Sequence, residues 1–273
     1  MMAATTAGTT PRTQRFVAPL RGWLTAIALI AIWQAWTAID DSLYFPTPWE
    51  IIDNARVRWF SGPSLLSEAF FQDVTPSLGR LVAGLVIAWT VGISVGVLIG
   101  RNRFVAELVE PLLHFMRAMP GPVLLPLALV LIGTGDSMRI SLIAFGAVWP
   151  ILFNTYSAVR RVPVGYLEAG KVARLGRTAT LFRIVLPAAS TGIFAGIRVS
   201  TALGIILLIA SELVAATNGI GFGLTQSQRS FQFLDMWTFI LALSALGYLS
   251  NLLLSAVERV VLRWHTLQLA ITH

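Results

Sequence analysis

Long apolar runs, nearly empty of charge, recur along this 273-residue chain. They restrict its fold more than any other feature. A helix needs about 20 apolar residues to cross ~30 Å of hydrocarbon. Runs of that size lie at residues 22–39, 78–100, 106–132, 138–159, 190–215 and 236–262. Only 12% of the chain is charged, with a mean hydropathy of +0.74, where a soluble domain carries roughly 25% charged residues. Water could not solvate so much apolar surface, so lipid must cover it. The expected fold class is all-α integral membrane, with six transmembrane helices. The third run carries Pro111, Pro120, Pro122 and Pro126, which predict a short, tilted or kinked span.

The formal net charge is +7. In a soluble protein that would point to nucleic acid. Here the basic residues cluster between the apolar runs, which is how membrane topology is written. An even number of spans puts both termini on one side. That side then holds Arg12, Arg15, Arg21, Arg101, Arg103, Arg117, Arg160, Arg161, Lys171, Arg174, Arg177, Arg183, Arg259 and Arg263. The other holds Arg56, Arg58, Arg80, Arg139 and Arg229. The positive-inside rule makes the first side cytoplasmic. Residues 1–18 are expected to be a mobile cytoplasmic tail, 19–265 the transmembrane domain, and 266–273 a cytoplasmic C-terminal tail. The first run has no small-residue cleavage site before Asp40 and Asp41, so it reads as a retained span rather than a signal peptide.

Two segments fall outside the runs. Residues 40–76 lie on the outer side, and their stretch 49–60 mixes Trp49, Ile52, Trp59 and Phe60 with Arg56 and Arg58. That pattern predicts a helix lying in the headgroup region, anchored by Trp. The second segment, 160–187, is cytoplasmic and reads as structured. Pro163 suits a first helical turn. Val164, Leu167, Val172 and Leu175 predict an apolar stripe. Gly176 fits a left-handed C-terminal cap, and Thr178 an N-cap for a second short helix that Pro187 stops. The expectation is an L of two short helices turning at Gly176, able to carry movement from a cytoplasmic motor into the membrane.

Glu168-Ala169-Gly170, then Gly176, then Ile184-Val185-Leu186-Pro187 resembles the "EAA" loop of binding-protein-dependent ABC importer permeases. Gly170 stands where the second Ala is usual, and the spacing to Gly176 is slightly extended. Further stretches are similar to the nitrate/sulfonate/taurine branch: Phe45-Pro46-Thr47-Pro48, Thr75-Pro76-Ser77-Leu78-Gly79-Arg80, Arg117-Ala118-Met119-Pro120, Gly133-Thr134-Gly135-Asp136, Gly196-Ile197-Arg198, and Glu212-Leu213-Val214-Ala215-Ala216 before Gly219-Ile220-Gly221. The resemblance spans roughly residues 20–265 and implies a type I ABC importer permease fold in a bacterial inner membrane. It implies Glu168, Ala169, Gly170, Gly176, Leu186 and Pro187 as the ATPase-coupling residues. It also implies partners: cytoplasmic ATPase subunits, a second permease copy and an extracytoplasmic solute-binding protein. The solute would be a small anion such as a sulfonate, taurine, nitrate or bicarbonate. ATP hydrolysis would belong to the partner, and this sequence has no G-x-x-x-x-G-K-[ST] pattern. Gly170 in place of Ala costs a helix about 1 kcal/mol.

Small residues recur at every fourth position at Gly92, Gly96 and Gly100, and again at Gly192, Gly196, Ser200 and Gly204. Such spacing lets backbones approach closely in lipid, either as static packing or as a sliding seam. Arg198 and Glu212 are the ionisable residues set most clearly inside a run. They either line a translocation path and draw an anion, or stand as a snorkelling Arg and an interfacial Glu. Ser200 and Asn154 complete the candidate path, while Asn154, Gln34, Ser211 and Asn251 also suit interhelical hydrogen bonds. The chain has no Cys, and His114, His265 and His273 lie far apart. Neither a metal site, a cofactor nor a catalytic set is expected. The alternative is an ion-gradient-driven secondary transporter. It predicts an internal repeat and an embedded acid for the coupling ion, and no repeat is seen between the halves.

Overall fold

In a computed structural model the described residues are 14–40, 42–62 and 65–262. They form α1 (Gln14–Asp40), α2 (Pro48–Phe60), α3 (Glu68–Arg101), α4 (Arg103–Ala118), a 3₁₀ turn (Gly121–Leu124), α5 (Leu125–Ile132), α6 (Asp136–Arg160), α7 (Val164–Val172), α8 (Arg177–Thr180), a π-turn (Leu181–Val185), α9 (Leu186–Ala215), α10 (Ile220–Arg229) and α11 (Phe233–Val261). The regular structure among them is helical. The expected tail gives way to helix by Gln14. Residues 1–13 and the expected C-terminal tail, 266–273, lie outside the described residues.

Among the described residues, four helices are long and apolar enough to cross a membrane: Glu68–Arg101, Asp136–Arg160, the continuous Arg177–Val214, and Phe233–Val261. The pair Arg103–Ala118 and Gly121–Ile132, bent by 81°, makes a fifth if it is one span. The apolar part of α1, Leu24–Asp40, is shorter. Of the four prolines in the third run, Pro111 sits inside α4 without breaking it. Pro126 occupies the first turn of α5, where its missing N–H costs nothing. The break falls at Met119 and Pro120, both extended.

The centre of the molecule is the trio α3, α6 and α9. Leu81, Leu85 and Ala88 of α3 meet Leu142, Ile143 and Ala147 of α6 and Leu207 and Leu208 of α9 in one buried cluster. A second cluster joins Ile151 and Val159 to Val185, Ala189 and Ile193. α11 buries only Thr238 and Phe239. It leaves Leu249, Leu253 and Val260 open, as α1 leaves Leu29, Ile32 and Trp36, so both present apolar surface suited to lipid.

At one end, α2 and α10 close over the trio. α2 starts at a capping box, with Thr47 accepting from the Glu50 N–H while Glu50 accepts from the Thr47 N–H. It packs one face inward. Ile51, Ala55 and Trp59 are buried, and Trp59 packs edge-on against Phe239 at 5.8 Å. Trp49, Ile52 and Phe60 remain exposed. Trp59 also donates its indole N–H to Asp73 Oδ2 at 3.1 Å, a partner from α3 that the local pattern of polar and apolar positions does not show.

Candidate functional site

The α10 end holds a buried polar network. Glu212, 1% exposed, pairs with Arg80, 3% exposed, through Oε1 and Nη1 at 2.7 Å. Ser77 Oγ donates to Glu212 at 2.8 Å, and the Gly221 N–H donates to Oε2 at 2.9 Å. The rest of the Arg80 fork reaches Asp136 Oδ1 at 2.8 Å and the side chain and carbonyl of Asn218. Each oxygen of the carboxylate is therefore met, and one donor is the first turn of α10, where backbone N–H groups favour negative charge. The surrounding glycines follow from this. Gly219 has φ +108, and a Cβ there would lie 2.6 Å from Glu212 Oε1. A Cβ on Gly221 would lie 2.7 Å from Glu212 Cβ. A second network beside it joins Arg58 to Asp73 at 2.9 Å and to Asp235 at 3.6 Å, while Asn54 donates to Asp235 at 2.7 Å. Together they tie α2, α3, α9, α10 and α11 at one end.

Arg198 and Glu212 share α9 but not a neighbourhood. Arg198 Nη2 bonds Glu258 Oε2 at 2.6 Å and Ser255 Oγ at 3.4 Å, both on α11, and its side chain is half exposed. A groove of about 330 Å³ beside it is lined by Thr201, Gly247 and Asn251. Ser200 is fully buried between helices and accepts the Trp89 indole N–H at 2.8 Å. Asn154 donates to the Pro150 carbonyl at 2.8 Å and lines a different cavity of about 600 Å³. That cavity opens where the third run bends. Met119, Pro120, Trp149, Phe153, Leu203 and Arg117 also line it. Among the described residues, no hydrogen bond or shared cavity joins any two of the four path candidates.

The small-residue ladders are contact surfaces between backbones. A Cβ on Gly96 would stand 2.8 Å from the Leu152 carbonyl, and one on Gly100 2.9 Å from Val159. Gly92 faces Ile151, so this ladder lies on α6 throughout. On α9, Gly192 meets Ala158, Gly196 meets Asn154 and Ile151, and Gly204 meets Leu85 and Ile143. The trio therefore closes through glycine on two of its faces.

The segment between α6 and α9 forms an elbow, with its turn elsewhere than expected. The left-handed residue is Arg174, at φ +53, not Gly176. Gly176 is extended, φ −65 and ψ 165, and is the N-cap of α8. Thr178 makes no cap bond; Thr180 Oγ1 instead donates to the Gly176 carbonyl at 3.0 Å. The α7 C-terminus is satisfied earlier than a Gly176 cap would allow, because the Leu175 N–H reaches the Gly170 carbonyl at 3.0 Å and the Arg174 N–H that of Lys171 at 2.9 Å. The predicted apolar stripe divides. Leu167 and Leu175 turn inward, while Val164 and Val172 are exposed. Gly170 is buried, and a Cβ there would lie 2.7 Å from Ile184 Cδ1. The helix-weakening glycine is thus a packing residue. Pro187 does not stop a helix either. It enters the first turn of α9 directly after the π-turn, whose wider hydrogen-bond ladder accommodates a residue without an N–H. Glu168 and Ala169 are exposed, and Leu186 is half-buried at the head of α9.

Ser77, Arg80, Asp136 and Asn218 escaped the sequence reading as a group. Arg80 counts as a loop charge there, although Ser77 and Arg80 stand three apart at the start of an apolar run, on one face of a helix. That spacing, with Glu212 near the end of another run, was the available signal. Arg117 likewise counts there among the cytoplasmic charges, though it lies within the third run.

Residues 90–264 match the family described as binding-protein-dependent transport system inner membrane component. The bicarbonate transport system permease protein of Synechococcus elongatus is 32% identical over 251 residues, covering 90% of this chain and 89% of that one. The taurine transport system permease protein of Escherichia coli is 28% identical over 247 residues, covering 88% of each. Among solved structures, inward-facing conformations of the MetNI methionine ABC transporter superpose with a TM-score of 0.60 at 22% identity, covering 72% of this chain and 99% of that one. That likeness bears on the fold alone. With the apolar helices and the polar closure at one end, these matches identify the chain as a member of the binding-protein-dependent transport family, the permease component that spans the inner membrane.

Proposed function

We propose that this chain is the permease of an ATP-driven importer for a small anion, working as a pair of copies. The bent pair and α1 count as spans, giving six, with both termini cytoplasmic. A separate ATPase docks on the elbow at 160–187, and a solute-binding protein delivers solute at the α10 end. The elbow carries this reading. Its helix α7, of 9 residues, is too short to span a membrane, yet it exposes Val164 at 67%, Tyr166 at 53% and Val172 at 86%. An apolar cluster on a segment outside the lipid suits a protein partner. Gly170 against Ile184 locks α7 to the turn that leads into α9, so force applied to α7 reaches the transmembrane trio. Glu168 stands on the open side of α7 as a polar contact for that partner. The anion follows from relatives named for bicarbonate, nitrate and taurine.

The test is uptake into vesicles holding this chain with its co-purifying ATPase and binding protein. Labelled bicarbonate, nitrate and taurine are the probes. Uptake of one of them should require ATP and survive collapse of the ion gradients. Uptake that persists without ATP and stops with the gradient would make the chain a secondary transporter. ATPase activity intrinsic to the isolated chain would also refute the proposal.

A further inference from the structure

α4 has three different faces. Ala106 and Leu113 are buried in a cluster with Leu152 and Tyr156 of α6. Phe104, Leu108, Leu112 and Phe115 form a second face and are 74%, 70%, 56% and 64% exposed. The third face carries Arg103, Glu107, Glu110, His114 and Arg117. Their alternating steps of four and three residues place them in one stripe along the helix. Arg103 bonds Glu107 at 2.7 Å, and His114 Nε2 lies 3.8 Å from Glu110. No other helix among the spans is charged along its length.

The head of this stripe reaches a cavity. Arg117 sits 5.2 Å over the Phe153 ring and lines the space of about 600 Å³ at the bend, with Asn154 and Trp149 on the same wall. Phe153 is seven residues from the end of α6 at Arg160, so the guanidinium stands ~10 Å along the helix from that end. The far wall reaches Leu203, well inside α9. Arg80 and Arg198 each pair with a glutamate, whereas Arg117 makes no ion pair among the described residues. A charge held in lipid at the centre of a span costs ~2.5–3.5 kcal/mol even on the mildest scale, so a charged stripe running along a span is favoured to face water or protein. An arginine without a counter-ion at the rim of a largely apolar cavity is a site for a planar anion, which its fork can bind through two N–H groups.

We propose that the ionisable stripe of α4 and the cavity at its head form the cytoplasmic half of the solute passage, with Arg117 as the anion-contacting residue where cavity and stripe meet. This rests on the importer reading and deepens it. The apolar face of α4 then meets lipid, and solute leaving the cavity descends along the hydrated stripe.

The chain contains no cysteine, so single substitutions report cleanly. Cysteines at 110, 114, 154 and 203, with controls at 108 and 112, are treated in inside-out vesicles of the assembled complex with a charged, membrane-impermeant methanethiosulfonate. The expected result is modification at 110, 114, 154 and 203 and none at 108 and 112, with modification at 114 blocking uptake. If 110 and 114 react but 154 and 203 do not, α4 is a helix lying in the interface and the passage is overturned. Arg117→Gln should lower uptake of bicarbonate, nitrate or taurine by at least about tenfold at unchanged membrane level, the loss expected of one charged hydrogen-bonding contact, with Arg117→Lys between the two. Undiminished uptake in Arg117→Gln overturns the anion contact. If the unsubstituted complex takes up none of the three anions, the anion reading fails and the Arg117 role with it, while the labelling pattern still decides the passage.

Discussion

Helix α9 is held by two ion pairs, one near its α10 end and one at mid-helix, and the two are built in opposite ways. At the α10 end, Arg80 and Glu212 are sealed, 3% and 0% exposed in their side chains, and Ser77, Asn218 and the Gly221 N–H complete their bonding. Toward the elbow, Arg198 and Glu258 are 50% and 32% exposed and meet through little else than Ser255. A buried charge depends on every partner, because no water can replace one that is lost. A half-exposed pair can open and rehydrate at small cost. The α10 end is therefore built as a fixed clasp. The mid-helix pair lets α9 shift against α11 without leaving a charge stranded, which suits a helix that a motor is proposed to move.

The largest effect should come from breaking the clasp. Glu212→Ala leaves the Arg80 guanidinium buried without its main counter-charge, and removing one partner of a buried pair costs ~3–5 kcal/mol. Membrane level and the unfolding midpoint of the purified protein should both fall sharply. Arg80→Met with Glu212→Leu should recover part of the loss, because no stranded charge remains. A single Glu212→Ala variant as stable as the parent would show that water enters this end freely, and the contrast between the two pairs would be lost.

Next in size are the glycine contacts of the trio. Gly96→Leu drives a side chain into the Leu152 carbonyl and Thr155, and overpacking of this kind costs ~1–3 kcal/mol. Gly79→Leu on the same helix meets nothing within 4 Å and is the control. Equal unfolding midpoints for the two variants would mean that α3 and α6 are not in close contact.

The elbow should respond in function before it responds in stability. Gly170→Val meets Ile184 and should separate α7 from the head of α9. ATPase binding is expected to remain while uptake per ATP falls severalfold. Gly176→Ala should be close to silent, since φ is −65 and a Cβ there meets nothing within 4 Å. A severe Gly176→Ala defect beside a normal Gly170→Val would return the hinge to Gly176. Binding assays with the ATPase and coupled uptake distinguish these outcomes.

Much of this architecture was legible in the sequence, for physical reasons that also mark where legibility stopped. Helix length in lipid is set by hydrophobic thickness, so the runs over α3, α6, α9 and α11 could be read directly. The four-residue ladders on α3 and α9 showed that backbones touch, because only small residues permit it. The pairing of Arg80 with Glu212 could not be read, since 132 residues separate them and only the packing of α3 on α9 brings them together. The turn of the elbow was misplaced by two residues because Gly176 is the position where a left-handed turn costs least, yet local hydrogen bonds put the turn at Arg174. Asn154 was found for its polarity alone. The cavity that it lines depends on the break at Pro120, which the prolines announced without giving its direction.

The smallest effect expected is at the exposed pair, and it sharpens the comparison most. Arg198→Ala frees a Glu258 carboxylate that already has access to solvent, so the stability loss should be under ~1 kcal/mol, and the membrane level should hold. The reversed pair, Arg198→Glu with Glu258→Arg, should be as stable as the parent, because the partially hydrated site has no other strong partner to offend. Uptake then separates the readings of Arg198. If it only pins α9 to α11, the reversed pair transports normally and Arg198→Ala nearly so. If it lines the path instead, both variants lose uptake while remaining assembled, since the positive charge has left its place on α9. A fall in membrane level as large as that of Glu212→Ala would contradict both, and would mean that this pair is as sealed from water in the assembled transporter as the one at the α10 end.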